Sequence, residues 1–186
     1  MKRVFDLFVG LMLLLVVAIP MILIALLIRF SSKGPSLYWS NRVGKNNIIF
    51  RMPKFRSMLM NTPEVATHIL ENPSIHLSPI GSFLRRTSLD ELPQLFSVIK
   101  GDMSFVGPRP ALFNQEDLIS LRTDNGVSKI TPGVTGWAQI NGRDQLSIIE
   151  KVDLDLEYLN KQSFLFDIKI LLKTLIKIVK NLDVLH

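Results

Sequence analysis

Cysteine is absent from the 186 residues. A disulfide framework, thiolate zinc or iron–sulfur sites and a cysteine nucleophile are therefore excluded. Histidine is scarce, and His68, His76 and His186 form no metal or triad spacing. Charge is also thin, at 20%, where a soluble domain carries about 25%. Against this, 47% of the chain is apolar, too much for intrinsic disorder. What charge there is leans positive, with a net of +6. A basic, apolar chain of one-domain length suits an anionic membrane surface, phosphorylated ligands or nucleic acid.

The apolar excess is concentrated. Leu7 to Ile28 is an uncharged run of 22 residues, interrupted only by Gly10 and Pro20. It exceeds the ~7–15-residue core of a signal peptide, and no small-x-small cleavage pattern follows. Lys2 and Arg3 precede it; Arg29, Lys33, Arg42 and Lys45 follow it. Positive charge at both ends places both ends in the cytoplasm. A re-entrant hairpin broken at Pro20, with legs Leu7–Ile19 and Met21–Ile28, satisfies that rule. A spanning anchor kinked at the proline stays open, and in either case the main domain is cytoplasmic. The expected division is a membrane anchor over 1–33 and a cytoplasmic domain over 34–186.

The remainder reads as a small α/β, mostly helical domain. Leu37–Ser40 and Ile48–Phe55 resemble strands about a Gly44-Lys45-Asn46-Asn47 turn. Tyr38 and Trp39 fall where an aromatic belt would sit. Leu92–Ile99 and Ala111–Arg122 look helical. Asn61–Pro79 and Thr131–Arg143 are rich in proline or glycine and read as loops. Ser147 and Glu150 form a capping box that opens a helix toward Asn160. In Phe164–Leu185, lysines 169, 173, 177 and 180 make one stripe beside a wide apolar face. Such a helix suits the membrane interface, with a solvated lysine face as the alternative.

The densest polar cluster is Arg85-Arg86-Thr87-Ser88-Leu89-Asp90-Glu91-Leu92-Pro93-Gln94. Ser88 and Glu91 fit a capping box, which is one reading. The other uses both acids. Adjacent helical residues point about 100° apart, so Asp90 and Glu91 cannot grip one ion symmetrically. They can divide labour, one attacking phosphorus while the other holds a divalent ion on phosphate oxygens. Arg85 and Arg86 would bind anionic oxygens. Downstream, Pro108-Arg109-Pro110 fixes an arginine in a stiff backbone. Pro132 to Arg143 mixes glycines with Trp137, Gln139, Asn141 and Arg143, which suits close approach to a nucleotide. Asp153, Asp155 and Glu157 lack the glycine of a calcium loop and read as a solvated or ion-paired surface.

Five ordered segments resemble the bacterial sugar transferases, the small monotopic phosphoglycosyl transferases that act on polyprenol phosphate. They are Lys2-Arg3-Val4-Phe5-Asp6, Lys54-Phe55-Arg56-Ser57-Met58, Thr87 to Leu95, Gly101 to Pro110, and Pro132 to Arg143. The resemblance implies transfer of a phospho-sugar from a UDP-sugar to undecaprenyl phosphate, with release of UMP. It implies that Asp90 is the nucleophile of a covalent intermediate and that Glu91 binds Mg2+. It places Arg85 beside the phosphate, and Lys54, Arg109, Gln139, Asn141 and Arg143 among the substrate-binding candidates. For both Lys54 and Arg56 a solvated strand face is an equal alternative to reaching the active site. The membrane helix would be re-entrant and break at Pro20, although Ile19 stands where several members carry serine. The resemblance to the small members carries the expectation of no additional N-terminal membrane helices. The expected sugar is an N-acetylated amino sugar. The expected setting is the cytoplasmic face of the bacterial inner membrane, among lipid headgroups, at the first membrane step of a capsule, O-antigen, exopolysaccharide or glycoprotein glycan. No nucleic-acid motif accompanies the basic charge, so no nucleic-acid partner is expected. A noncatalytic membrane scaffold would not need the acid pair beside Arg85.

Overall fold

The computed structural model describes residues 1–63, 72–142 and 145–183. It begins with one long helix, α1 (Lys2–Ser31). With 30 residues, and a mean hydropathy of 3.3 over an 18-residue stretch of it, α1 is long and apolar enough to cross a membrane. It does not divide into two helices: Pro20 lies inside a continuous element. A proline removes one backbone donor, and continuing the helix satisfies the other backbone groups where lipid would offer no partner. The Pro20 side chain is on the exposed side.

One stripe of α1 faces the rest of the chain along its whole length. Asp6, Gly10, Met21, Ile24 and Ile28 are buried, and Leu14 and Val17 are partly buried between them. Their spacing of three and four is a single helical face, carried through Pro20 without a shift. Gly10 is required by closeness, since a Cβ there would sit 3.2 Å from Ile99. The opposite face exposes Phe8, Leu11, Leu15, Ile19, Ile22, Leu26 and Phe30. An apolar surface of that length is far larger than a water-facing monomer carries.

Both ends of α1 are fastened. At the start, Lys2 Nζ donates to the Val106 carbonyl, the Tyr158 hydroxyl and Asp167 Oδ2. Arg3 donates to the carbonyls of Val98 and Ile99, and Asp6 Oδ1 accepts from the Phe105 amide. At the exit, buried Arg56 donates to the Ser32 and Lys33 carbonyls. Gly34 permits this: its φ is +114°, and a Cβ would collide with the Arg56 guanidinium.

An antiparallel hairpin follows, β1 (Leu37–Val43) with β2 (Ile49–Phe55), in which Tyr38 faces Lys54. The expected first strand was shorter. It continues because Asn41, Arg42 and Val43 go on pairing with Arg51, Phe50 and Ile49 up to the turn, and the Val43 amide also donates to the Ala111 carbonyl. Next come α2 (Gly81–Arg86), a 3-10 turn over Leu89–Glu91, and α3 (Gln94–Lys100). A short strand, β3 (Ser104–Val106), pairs in parallel with β4 (Gly133–Thr135). Gly133 is needed there, because a Cβ would lie 2.1 Å from the Gly107 amide nitrogen. Between these strands lies α4 (Glu116–Asp124). The helix expected from Ala111 starts five residues later, since Gln115 Oε1 accepts from the Leu112 amide and holds a turn instead. One helical turn, α5 (Trp137–Ile140), interrupts the expected loop. The Ser147–Glu150 box opens α6 (Ile148–Lys161), with both reciprocal bonds formed. α7 (Phe164–Asp183) ends the described chain.

The main core gathers Phe50, Met52, Leu95, Val98, Phe105, Tyr158 and Ile170. A second cluster joins Met21, Ile24 and Ile28 of α1 to Phe55 and Leu84. α7 seats Asp167 and Ile170 inward and exposes Leu165, Leu172, Leu175, Ile176 and Ile178. Two stripe lysines turn to protein: Lys173 Nζ is 4.9 Å and Lys169 Nζ 6.0 Å from the Trp137 ring centre.

Candidate active site

Asp90 and Glu91 sit on the 3-10 turn between α2 and α3. The turn is anchored from below, because Leu89 and Leu92 pack on the second core cluster. Ser88 precedes it at φ +58° and makes no side-chain cap. The capping reading of Ser88 is therefore corrected: its backbone is left-handed, where a capping residue is extended. Ser88 contributes its carbonyl, which accepts from the Glu91 amide at 3.1 Å.

Lys54 reaches the acids from β2 and Arg109 reaches them from the segment after β3. Lys54 Nζ donates to Glu91 Oε1 at 2.8 Å, and Arg109 Nη2 donates to the same oxygen at 2.9 Å. The Glu91 side chain is 17% exposed. Burial by itself would raise its carboxyl, but the charges of Arg109 and Lys54 outweigh that and hold it well below the ordinary carboxylate range. Asp90 shows the opposite balance. Burial pushes its carboxyl up and neighbouring Glu91 adds to the rise, while Lys54, Arg85 and Arg109 offset only part of it. Lys54 is lowered, first by its own burial and then by Arg109, against the pull of Glu91. Two adjacent carboxylates are thus pushed apart. One stays ionised, and the other keeps the higher basicity of a nucleophile or base.

Four of the expected site residues therefore converge, Lys54, Asp90, Glu91 and Arg109, while Arg85 donates to Met58 Sδ at 3.6 Å and acts on Asp90 through its charge. Gln139 and Asn141 are used within their own turn, donating to the carbonyls of Val134 and Trp137. Arg143 lies outside the described residues. Arg56, adjacent in motif to Lys54, closes the exit of α1 instead of joining the acids. Among the described residues no cluster of three or more His, Cys, Asp or Glu forms a cage. A divalent ion would have these two carboxylates at most. That fits magnesium, which takes one or two carboxylates and completes its shell with phosphate oxygens and water. Glu91 Oε2 receives neither of the two cations, which both use Oε1.

One feature eluded the sequence reading. Asp155, expected on a solvated or ion-paired surface, is 1% exposed and paired with Arg122 at 2.6 Å. The signal was available: Val152, Asp155 and Tyr158 repeat every three residues, so the acid occupies an inward position of α6.

The model of the bacterial sugar transferase family matches residues 1–181. The chain belongs to this family. It is 41% identical over 185 residues to the UDP-glucose:undecaprenyl-phosphate glucose-1-phosphate transferase of Escherichia coli, covering 95% of this chain and 40% of that protein. It is 40% identical to the undecaprenyl-phosphate glucose phosphotransferase of Komagataeibacter xylinus, covering 94% of this chain and 35% of that protein. The sugar transferase EpsL of Bacillus subtilis is 35% identical, with 96% of this chain and 87% of that protein covered. The chain thus spans well under half of the first two relatives and most of the third. The first two are named for glucose, which gives the expected N-acetylated amino sugar no support.

Proposed function

We propose that the chain transfers a sugar 1-phosphate from a UDP-sugar to undecaprenyl phosphate and releases UMP. The observation that carries this is the acid pair on one turn, with Lys54 Nζ and Arg109 Nη2 both donating to Glu91 Oε1 and the Arg85 charge acting on Asp90. A carboxylate oxygen of Asp90 attacks the phosphorus that bears the sugar. The bond from that phosphorus to the bridging oxygen breaks, and its electron pair leaves on UMP. An oxygen of undecaprenyl phosphate then attacks the same phosphorus and expels Asp90 as carboxylate, leaving a sugar diphospholipid. Lys54, Arg85 and Arg109 offset the charge of the phosphate oxygens, the largest demand of phosphoryl transfer. Glu91 would hold magnesium, which when bound supplies further neutralisation of those oxygens.

The membrane side is read from surfaces. α1 carries an apolar face along its full length while both its ends rest on the same domain. Ends tied to one domain belong on one side of the bilayer, so α1 would lie against the cytoplasmic face as one continuous helix with its apolar face in the near leaflet, instead of folding back at Pro20. The exposed leucines and isoleucines of α7 lie at the same interface. The lipid acceptor would approach there, and the setting is a bacterial capsule or exopolysaccharide pathway.

The test is UMP release by the purified full chain, with undecaprenyl phosphate and a panel led by UDP-glucose, followed by UDP-galactose and the UDP-N-acetylhexosamines. Lipid-dependent UMP release from at least one sugar is expected. Release from none of them refutes the reading.

A further inference from the structure

Arg109 is held from behind. Its two neighbours are prolines, which fix their own φ, and Pro110 restricts Arg109 to extended backbone. A stiff backbone only helps if it is itself aimed, and the structure shows what aims it. Three successive carbonyls each accept a hydrogen bond from a different element. The Pro108 carbonyl accepts from the Gly133 amide at 2.9 Å. The Arg109 carbonyl accepts from Arg122 Nη1 at 2.8 Å, and the Pro110 carbonyl from Arg42 Nη1 at 3.1 Å. Arg122 is itself pinned, since its Nε and Nη2 donate to Asp155 Oδ2 at 3.0 and 2.6 Å.

We infer that Arg122, fixed by Asp155, is a positioning residue that sets Arg109 against Glu91 for the transfer reaction. Three observations carry this. First, one guanidinium uses separate edges for Asp155 and for the Arg109 carbonyl, so it is a rigid link between α6 and the Arg109 backbone; lysine has no second edge of that kind. Second, the link is shielded, with the Arg122 side chain 12% and the Asp155 side chain 1% exposed. A buried pair contributes little net stability compared with apolar packing, so its presence calls for another reason, and fixed geometry is one. Third, the link ends at the residue whose Nη2 lies 2.9 Å from Glu91 Oε1. The inference rests on the proposed reaction only in what Arg109 does for it.

The test is a double-variant cycle on the full chain, read by UMP release with undecaprenyl phosphate and the UDP-sugar that turns over. Arg122→Ala is expected to lower kcat/KM about tenfold to a hundredfold, the scale of a small misplacement at a reacting centre. Arg109→Ala is expected to lower it about a hundredfold. If Arg122 acts through Arg109, the double variant is within about twofold of Arg109→Ala alone, because residues in one network are not additive. Losses that multiply would overturn the inference. Arg122→Lys separates positioning from packing and covers the case in which the alanine variant does not fold. It keeps the charge pair with Asp155 but not the second bond, so the melting temperature should recover while the kcat/KM loss remains. Recovery of both would mean that Arg122 serves packing alone. Hydrogen exchange is read on the same variants. The peptide spanning 107–112 should exchange faster in both Arg122 variants, with α3 peptides unchanged. Unaltered exchange there overturns the inference even if no UDP-sugar turns over, whereas faster exchange without any UMP release would sink the proposed reaction and leave the link standing.

Discussion

Lys54→Met removes one of the two cations on Glu91 Oε1 and replaces it with an apolar chain of similar length. Leaving a buried charge wholly unpaired costs about 3–5 kcal/mol. That is not the situation here, because Arg109 Nη2 remains 2.9 Å from the same oxygen. The loss is closer to one charged hydrogen bond, about 2 kcal/mol. For a chain of this length that lowers the melting temperature by about 4–8 °C. The pH dependence is the sharper readout. Glu91 has its folded carboxyl below its unfolded value, so its contribution is present above the unfolded value and is lost as pH falls through the folded one. Without Lys54 the folded value rises, and acid unfolding begins at higher pH. As the proposed nucleophile, Asp90 would have to be ionised to attack, and its ionisation would set the acid limb of kcat/KM. Burial already places that limb above the ordinary aspartate value, and Lys54 is the strongest of the charges opposing burial. The limb should therefore move to higher pH in Lys54→Met, with kcat/KM at its plateau down about a hundredfold. Rate profiles and thermal melts from pH 4 to 9 decide the matter. An acid limb that stays in place or moves to lower pH would refute the electrostatic reasoning.

Glu91→Gln should reduce activity and magnesium dependence together, and EDTA should stop the unsubstituted protein until magnesium is restored; full activity in EDTA would remove the metal from the account. A cysteine at position 2 of this cysteine-free chain should be labelled only from the cytoplasmic side, and periplasmic labelling would show that α1 spans.

Local signals were legible where the chain obeys a local rule. The capping box at Ser147 marked α6 because both of its bonds lie within four residues. The apolar run located α1, and the turn at Gly44–Asn47 located the hairpin. Reading failed where a distant partner decides. Ser88 carries the residue type of a cap but not its backbone. β3 and β4 are three residues each and exist through pairing across a gap that includes α4. Pro20 carries the mark of a break, yet a stripe from Asp6 to Ile28 packs on one domain and the helix runs on. At the site, motif order nominated Lys54, Asp90, Glu91 and Arg109. That both cations share Oε1, and that Arg122 and Asp155 stand behind Arg109, depends on contacts between residues up to 37 positions apart (54 to 91).

The proposed covalent link through Asp90 is tested most directly by mass spectrometry of the protein incubated with a UDP-sugar alone. The expected result is a phospho-sugar adduct on the peptide carrying Asp90, formed with release of UMP, discharged by undecaprenyl phosphate and absent from Asp90→Asn, which should also lose turnover while keeping its fold. Release of UMP only when both substrates are present, with no adduct and substantial activity in Asp90→Asn, would contradict it.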